Sequence, residues 1–115
     1  MHEMSLAGGV LKVVEASAEA EGFKRVTQLT LAVGKLSGVE VESLRFALGA
    51  IAPGTCLEGA VIEIDEPAGQ AACMTCGALT VIKDRGDACR HCGGYRLQAT
   101  AGTELRVVEM LVEDH

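Results

Sequence analysis

Four of the five cysteines fall into two Cys-x-x-Cys pairs. They are Cys73-Met74-Thr75-Cys76-Gly77 and Cys89-Arg90-His91-Cys92-Gly93, with the twelve residues from Gly77 to Ala88 between them. Two cysteines three apart can bend round one ion, with the chain's amides facing the sulfurs. The glycine after each second cysteine permits the tight turn this needs. Two such knuckles supply four thiolates in a tetrahedron, the closed arrangement of structural zinc. Iron in a tetrathiolate site and a redox dithiol pair are the alternatives, although two pairs at this separation fit redox chemistry less well than one pair would. A closed four-sulfur site leaves no open position for catalysis. Cys56 stands apart and reads as a small, partly buried hydrophobe. His91, inside the second knuckle, reads as a solvent-facing imidazole or as a pH-sensitive neighbour of the metal.

A second constellation opens the chain: Met1-His2-Glu3-Met4. With Met1 retained, a free amine, ionisable backbone amides, the His2 imidazole and the Glu3 carboxylate lie within three residues. Nitrogen-rich ligands this close in sequence suit Ni²⁺ or Cu²⁺ in tetragonal or planar geometry. The bland alternative is a surface histidine followed by an acid placed to complement a helix macrodipole. A helical pattern begins almost at once behind these residues, so they are expected to be held in place.

The surrounding composition excludes several classes. The chain has 115 residues, a formal net charge of −6 and only 3% aromatic residues. The basic residues are scattered along the chain, which argues against a phosphate-binding surface. So few rings cannot build a stacking platform for single strands. No apolar run approaches the ~18 residues of a membrane span, and the N-terminus has no signal-peptide pattern. The expectation is a cytoplasmic protein with no nucleic-acid or membrane partner. No Ser-His-Asp set or His-Glu-x-x-His motif is present, so it is not expected to be an enzyme.

The elements that must carry these groups follow from periodicity. Leu6, Val10, Val13 and Val14 share one face of a helix that stops at Gly22. Leu29, Leu31 and Val33 alternate with Gln28, Thr30 and Ala32 in a strand. Ser37 and Glu40 have the spacing of a capping box. Behind them Val41, Leu44, Leu48 and Ile51 form a second amphipathic helix, closed at Pro53-Gly54. A second strand carries Ile62 and Ile64, with Pro67 ending it. A third runs through Thr103–Glu113 with apolar residues on both faces, which predicts a central position. Between Pro67 and Arg96 apolar residues are too few for independent folding. That stretch reads as an insert with a hairpin turning at Asp84-Arg85-Gly86-Asp87. The fold class is α+β: a small three-stranded sheet with two helices, plus an inserted zinc-ribbon module built on four cysteines. The expected domains are 1–67 with 96–115, and 68–95.

The combination resembles the HypA/HybF family of hydrogenase nickel-incorporation proteins. The residues carrying the resemblance are the Met-His-Glu-Met-Ser-Leu opening, Val33–Leu48 entering the second helix, Gly59–Cys73 entering the ribbon, and Gly102–Glu113. The resemblance spans essentially the whole chain. It implies a nickel metallochaperone that passes Ni²⁺ into the large-subunit precursor of [NiFe]-hydrogenase, works with the GTPase HypB, and in some bacteria also serves urease. The expected state is a monomer or weak homodimer. The resemblance places the cargo ligand on His2, with Glu3 as helper, and structural Zn²⁺ on Cys73, Cys76, Cys89 and Cys92. Many relatives carry a proline after the third cysteine, where this chain has Arg90. Some carry a Ser-His pair after each knuckle, where this chain has Gly77-Ala78 and Gly93-Gly94.

Overall fold

The computed structural model describes residues 3–114. The chain divides into two compact units, residues 1–31, 39–64 and 107–115 in one, residues 32–38 and 65–106 in the other.

The first unit holds both helices. Helix α1 (Glu3–Glu21) buries Ala7, Val10 and Val14, spaced three and four apart on one face. Val13 lies outside that face and is 53% exposed. The helix ends at Gly22, whose φ of 80° supplies the left-handed stop and whose N–H donates to the Ala18 carbonyl at 2.8 Å. Helix α2 (Val41–Ile51) buries Leu44, Ala47 and Leu48. Its N-cap is Glu40, whose side chain accepts from the Glu42 N–H at 3.0 Å. The expected Ser37–Glu40 box is therefore displaced by a local cap on Glu40 itself.

Strands β1 (Arg25–Val33), β2 (Val61–Asp65) and β6 (Leu105–Glu113) form a sheet of order β2-β1-β6. β1 is central and buries Val26, Leu29, Leu31, Ala32 and Val33. This corrects the expectation for the last strand. β6 lies at the edge and leaves Val108, Leu111 and Val112 exposed. Apolar residues on both faces do not distinguish a central strand from an edge strand with an uncovered apolar side.

The second unit is built on a sheet of order β4-β3-β5, with β3 (Gly69–Cys73), β4 (Leu79–Ile82) and β5 (Leu97–Ala101). β3 pairs antiparallel with both neighbours. Its core is Leu36, Ala71 and Ile82, with Leu97 and Ala99 packed against them. The turn at Asp84–Asp87 is present, closed by the Asp87 N–H on the Asp84 carbonyl at 3.1 Å. The hairpin partner differs from expectation: β4 pairs with β3 before it, not with the segment after it.

Candidate metal centre

Each cysteine pair is folded by the same local hydrogen bonds. The Gly77 N–H donates to the Cys73 carbonyl and the Gly93 N–H to the Cys89 carbonyl, both at 2.9 Å. The return bonds match: Cys73 N–H to the Ala78 carbonyl at 2.9 Å, Cys89 N–H to the Gly94 carbonyl at 2.7 Å. Gly77 and Gly93 take φ of 78° and 77°, a region that is costly for a side chain. The two knuckles are thus copies of one turn, which follows from their shared sequence pattern.

The four sulfurs of Cys73, Cys76, Cys89 and Cys92 lie within 4.8 Å of one another. Cys73 Sγ is 3.6 Å from Cys92 Sγ, and Cys76 Sγ is 3.7 Å from Cys89 Sγ. A tetrahedron with metal–sulfur bonds of about 2.3 Å has edges of about 3.8 Å. The donor set therefore fits a four-coordinate thiophilic ion such as zinc. Cys73 and Cys89 are buried and Cys76 and Cys92 exposed, so the centre has one covered side and one open to solvent.

Backbone amides supply the electrostatics. Cys76 N–H points at Cys73 Sγ at 3.5 Å, His91 N–H at Cys89 Sγ at 3.4 Å, and Gly94 N–H at Cys92 Sγ at 3.4 Å. The amides of Cys76 and Thr75 hold the Cys73 thiol down to about 6. Those of Cys92 and His91 likewise hold Cys89 below its usual value. The Ala78 amide pulls Cys76 down, but desolvation and the neighbouring sulfurs outweigh it and leave it at about 11. At Cys92 the Gly94 amide is likewise outweighed, by Cys73 and desolvation, and the thiol is raised. In each pair the first cysteine ionises readily and the second does so late. The motif anticipates amides facing the sulfurs; which amide serves which sulfur is set by the turn and is not visible in the sequence. Cys56 lies outside the cluster and is half-buried, and desolvation raises its thiol. His91 is exposed.

The second constellation is described from Glu3 onward; His2 lies outside the described residues. Glu3 is the first residue of α1. Its Oε2 accepts from the Glu40 N–H at 3.3 Å. The start of α1 is thereby tied to the N-cap of α2, 37 positions along the chain. The sequence marks Glu40 only as a capping partner; nothing in its local spacing signals the long-range contact.

Residues 1–112 match the family model described as hydrogenase/urease nickel incorporation, metallochaperone, hypA. A hydrogenase maturation factor HypA from Cupriavidus necator is 65% identical over 115 residues, covering 100% of this chain and 97% of that protein. One from Azotobacter vinelandii is 50% identical over 113 residues, covering 98% and 100%. The solution structure of the Ni metallochaperone HypA from Helicobacter pylori superposes with a TM-score of 0.72 over 100% of both chains at 16% identity, a likeness of fold.

Proposed function

From its membership of the HypA family of hydrogenase/urease nickel-incorporation metallochaperones, to which this chain belongs, we propose that it carries Ni²⁺ on its first residues and releases it to the large-subunit precursor of [NiFe]-hydrogenase, with urease as a second recipient. The cargo ligands are His2, with the terminal amine and backbone nitrogens, and Glu3. The resident ion is Zn²⁺ on Cys73, Cys76, Cys89 and Cys92. The protein works as a carrier rather than a catalyst, in the cytoplasm, as a monomer or weak homodimer, alongside the GTPase HypB.

The observation that carries this reading is that one sequence holds two unlike donor sets, one rich in sulfur and one rich in nitrogen. The four-sulfur set is closed and satisfies a tetrahedral ion by itself. Its role is structural: the unit around it has a small core, and zinc binding supplies roughly 10–16 kcal/mol in small metal-folded modules. The N-terminal set is built of nitrogens on a chain end, where a partner's ligands can enter by exchange. A delivery site must hold its ion reversibly, and each tenfold in affinity corresponds to about 1.4 kcal/mol. The Glu3–Glu40 hydrogen bond contributes position: it ties Glu3, in the first turn of α1, to the N-cap of α2.

The reading is tested in a hydrogenase-producing strain lacking the gene. The parent gene should restore hydrogenase activity, His2→Ala should not, and added nickel should bypass the defect. Full restoration by His2→Ala would overturn it.

A further inference from the structure

We propose that the groove between the first turn of α1 and the outer side of α2 docks a basic amphipathic segment of a partner protein. A large apolar side chain enters between Met4 and Phe46, and Lys or Arg beside it faces Glu3 and Glu42. The inference rests on the nickel-carrier reading for its purpose, because Glu3 is a wall of both sites.

The chain has three aromatic rings and leaves two in solvent: Phe23 is 6% exposed, Phe46 78% and Tyr95 73%. Phe46 contributes little to the core. The inward residues of α2 are Leu44, Ala47 and Leu48, and Phe46 projects beside them. Met4, 56% exposed, stands opposite on α1. With Ala47 they line an open groove of about 490 Å³ that Glu3 and Glu42 also wall. An exposed ring and a methionine around one concavity form a surface that an apolar anchor can fill, and methionine adapts to the shape of what enters.

Charge selects the occupant. The unit holding the groove has eleven acidic and four basic residues, a formal −7, whereas the other unit has five acidic and six basic. The acidity of the chain is therefore concentrated in the unit that carries the groove. Arg45, whose Nε lies 3.6 Å from Glu42 and whose Nη1 donates to the Ile62 carbonyl at 2.6 Å, offsets one acidic charge and is already counted in the −7. Such a field draws in cationic segments and repels acidic ones. It also opposes a second copy of this chain, which would bring the same −7 unit. The fitting partner is an amphipathic helix laying an apolar stripe into the groove with lysines or arginines along its flanks. A partner seated there lies against Glu3, within reach of the cargo.

The test uses zinc-loaded, full-length protein and two synthetic helical peptides. Both carry Leu at i, i+4 and i+7; one is flanked by lysines and the other by glutamates. In ¹⁵N NMR titrations the lysine peptide should shift the amides of Met4, Ser43, Phe46 and Ala47. It should weaken as salt is added and bind at least about tenfold tighter than the glutamate peptide. Phe46→Ser, at an exposed position, should keep the fold and Ni²⁺ titration of the parent and lose at least about tenfold in peptide affinity. Equal response to both peptides, shifts away from the groove, or no shift would overturn the proposal. So would concentration-dependent shifts of the same amides without peptide, which would show a second copy in the groove. Ni²⁺ titration reads the carrier assignment separately: loss of nickel binding with peptide binding intact would sink that reading and leave the docking groove standing.

Discussion

The Glu40 N–H donates to Glu3 Oε2 at 3.3 Å, joining the first helical turn to the cap of the second helix. The donor is an N-cap residue whose own side chain is occupied by the Glu42 N–H. Glu3→Ala removes the acceptor and Glu3→Gln keeps one. Glu3→Ala should weaken Ni²⁺ binding about tenfold by calorimetry, and Glu3→Gln distinctly less. Both variants should keep the fold. Equal affinities in parent and Glu3→Ala would show that Glu3 neither ligates nor positions the cargo.

The second unit should respond to metal removal, and the cysteines should differ in what they do. Cys76→Ser should lose the bound ion and, with it, NMR dispersion of β3, β4 and β5. Cys56→Ser should keep both, because Cys56 lies outside the cluster. Metal analysis of the two purified variants checks this; metal retained at parent stoichiometry in Cys76→Ser would contradict it.

Proton release should report the unequal thiols. Cys73, lowered to about 6, contributes to stability as a thiolate above its ordinary value of 9.0, and that contribution is lost as pH falls through about 6. Cys76, raised to about 11, contributes as a thiol below 9.0, and its contribution is lost as pH rises through about 11. Cys89 follows Cys73 in direction and Cys92 follows Cys76. At pH ~8 Cys73 is already a thiolate in the metal-free tetrad, so Zn²⁺ should displace fewer than the four protons that four ordinary thiols would release. Calorimetry in buffers of different ionisation enthalpy measures that number.

Most of the fold was legible because the larger apolar residues declare it. The periods of Val10 and Val14, of Leu29, Leu31 and Val33, and of Leu44 and Leu48 each mark one buried face. β3 was not legible. Gly69–Cys73 reads Gly-Gln-Ala-Ala-Cys, which carries no strand signal. It is nevertheless the middle strand, because small residues let Leu36 and Ile82 close over Ala71. The edge position of β6 and the exposure of Phe46 were illegible for a related reason. Hydrophobicity says what a residue prefers, not whether the fold covers it. The four sulfurs were legible because each knuckle is local; the Glu3–Glu40 contact was not, because it joins residues far apart in sequence.

Glycines give opposite responses to one substitution. A Cβ on Gly34 would collide with the Gly102 carbonyl, backbone that cannot turn aside. Gly34→Ala should cost at least about 3 kcal/mol or prevent folding. A Cβ on Gly9 meets nothing within 4 Å, on the exposed side of α1. Gly9→Ala should stabilise by about 0.5–1 kcal/mol. Denaturant titrations of both variants decide the sign.

Thr80 is 4% exposed and its Oγ1 has no hydrogen-bond partner among the described residues. Thr80→Val removes the unpaired hydroxyl at nearly constant volume and should raise stability by about 1 kcal/mol. A loss of stability would show that the hydroxyl is satisfied in solution.

On the proposed reading the chain end, not the cysteine cluster, holds the cargo. Calorimetric titration of Ni²⁺ into tag-free, zinc-loaded protein, with His2→Ala alongside, separates the two. Saturable binding at one site is expected in the parent, weakening as pH falls because protons compete for the nitrogen ligands. It should be lost in His2→Ala with zinc content unchanged. Equal nickel binding in both proteins would contradict the assignment.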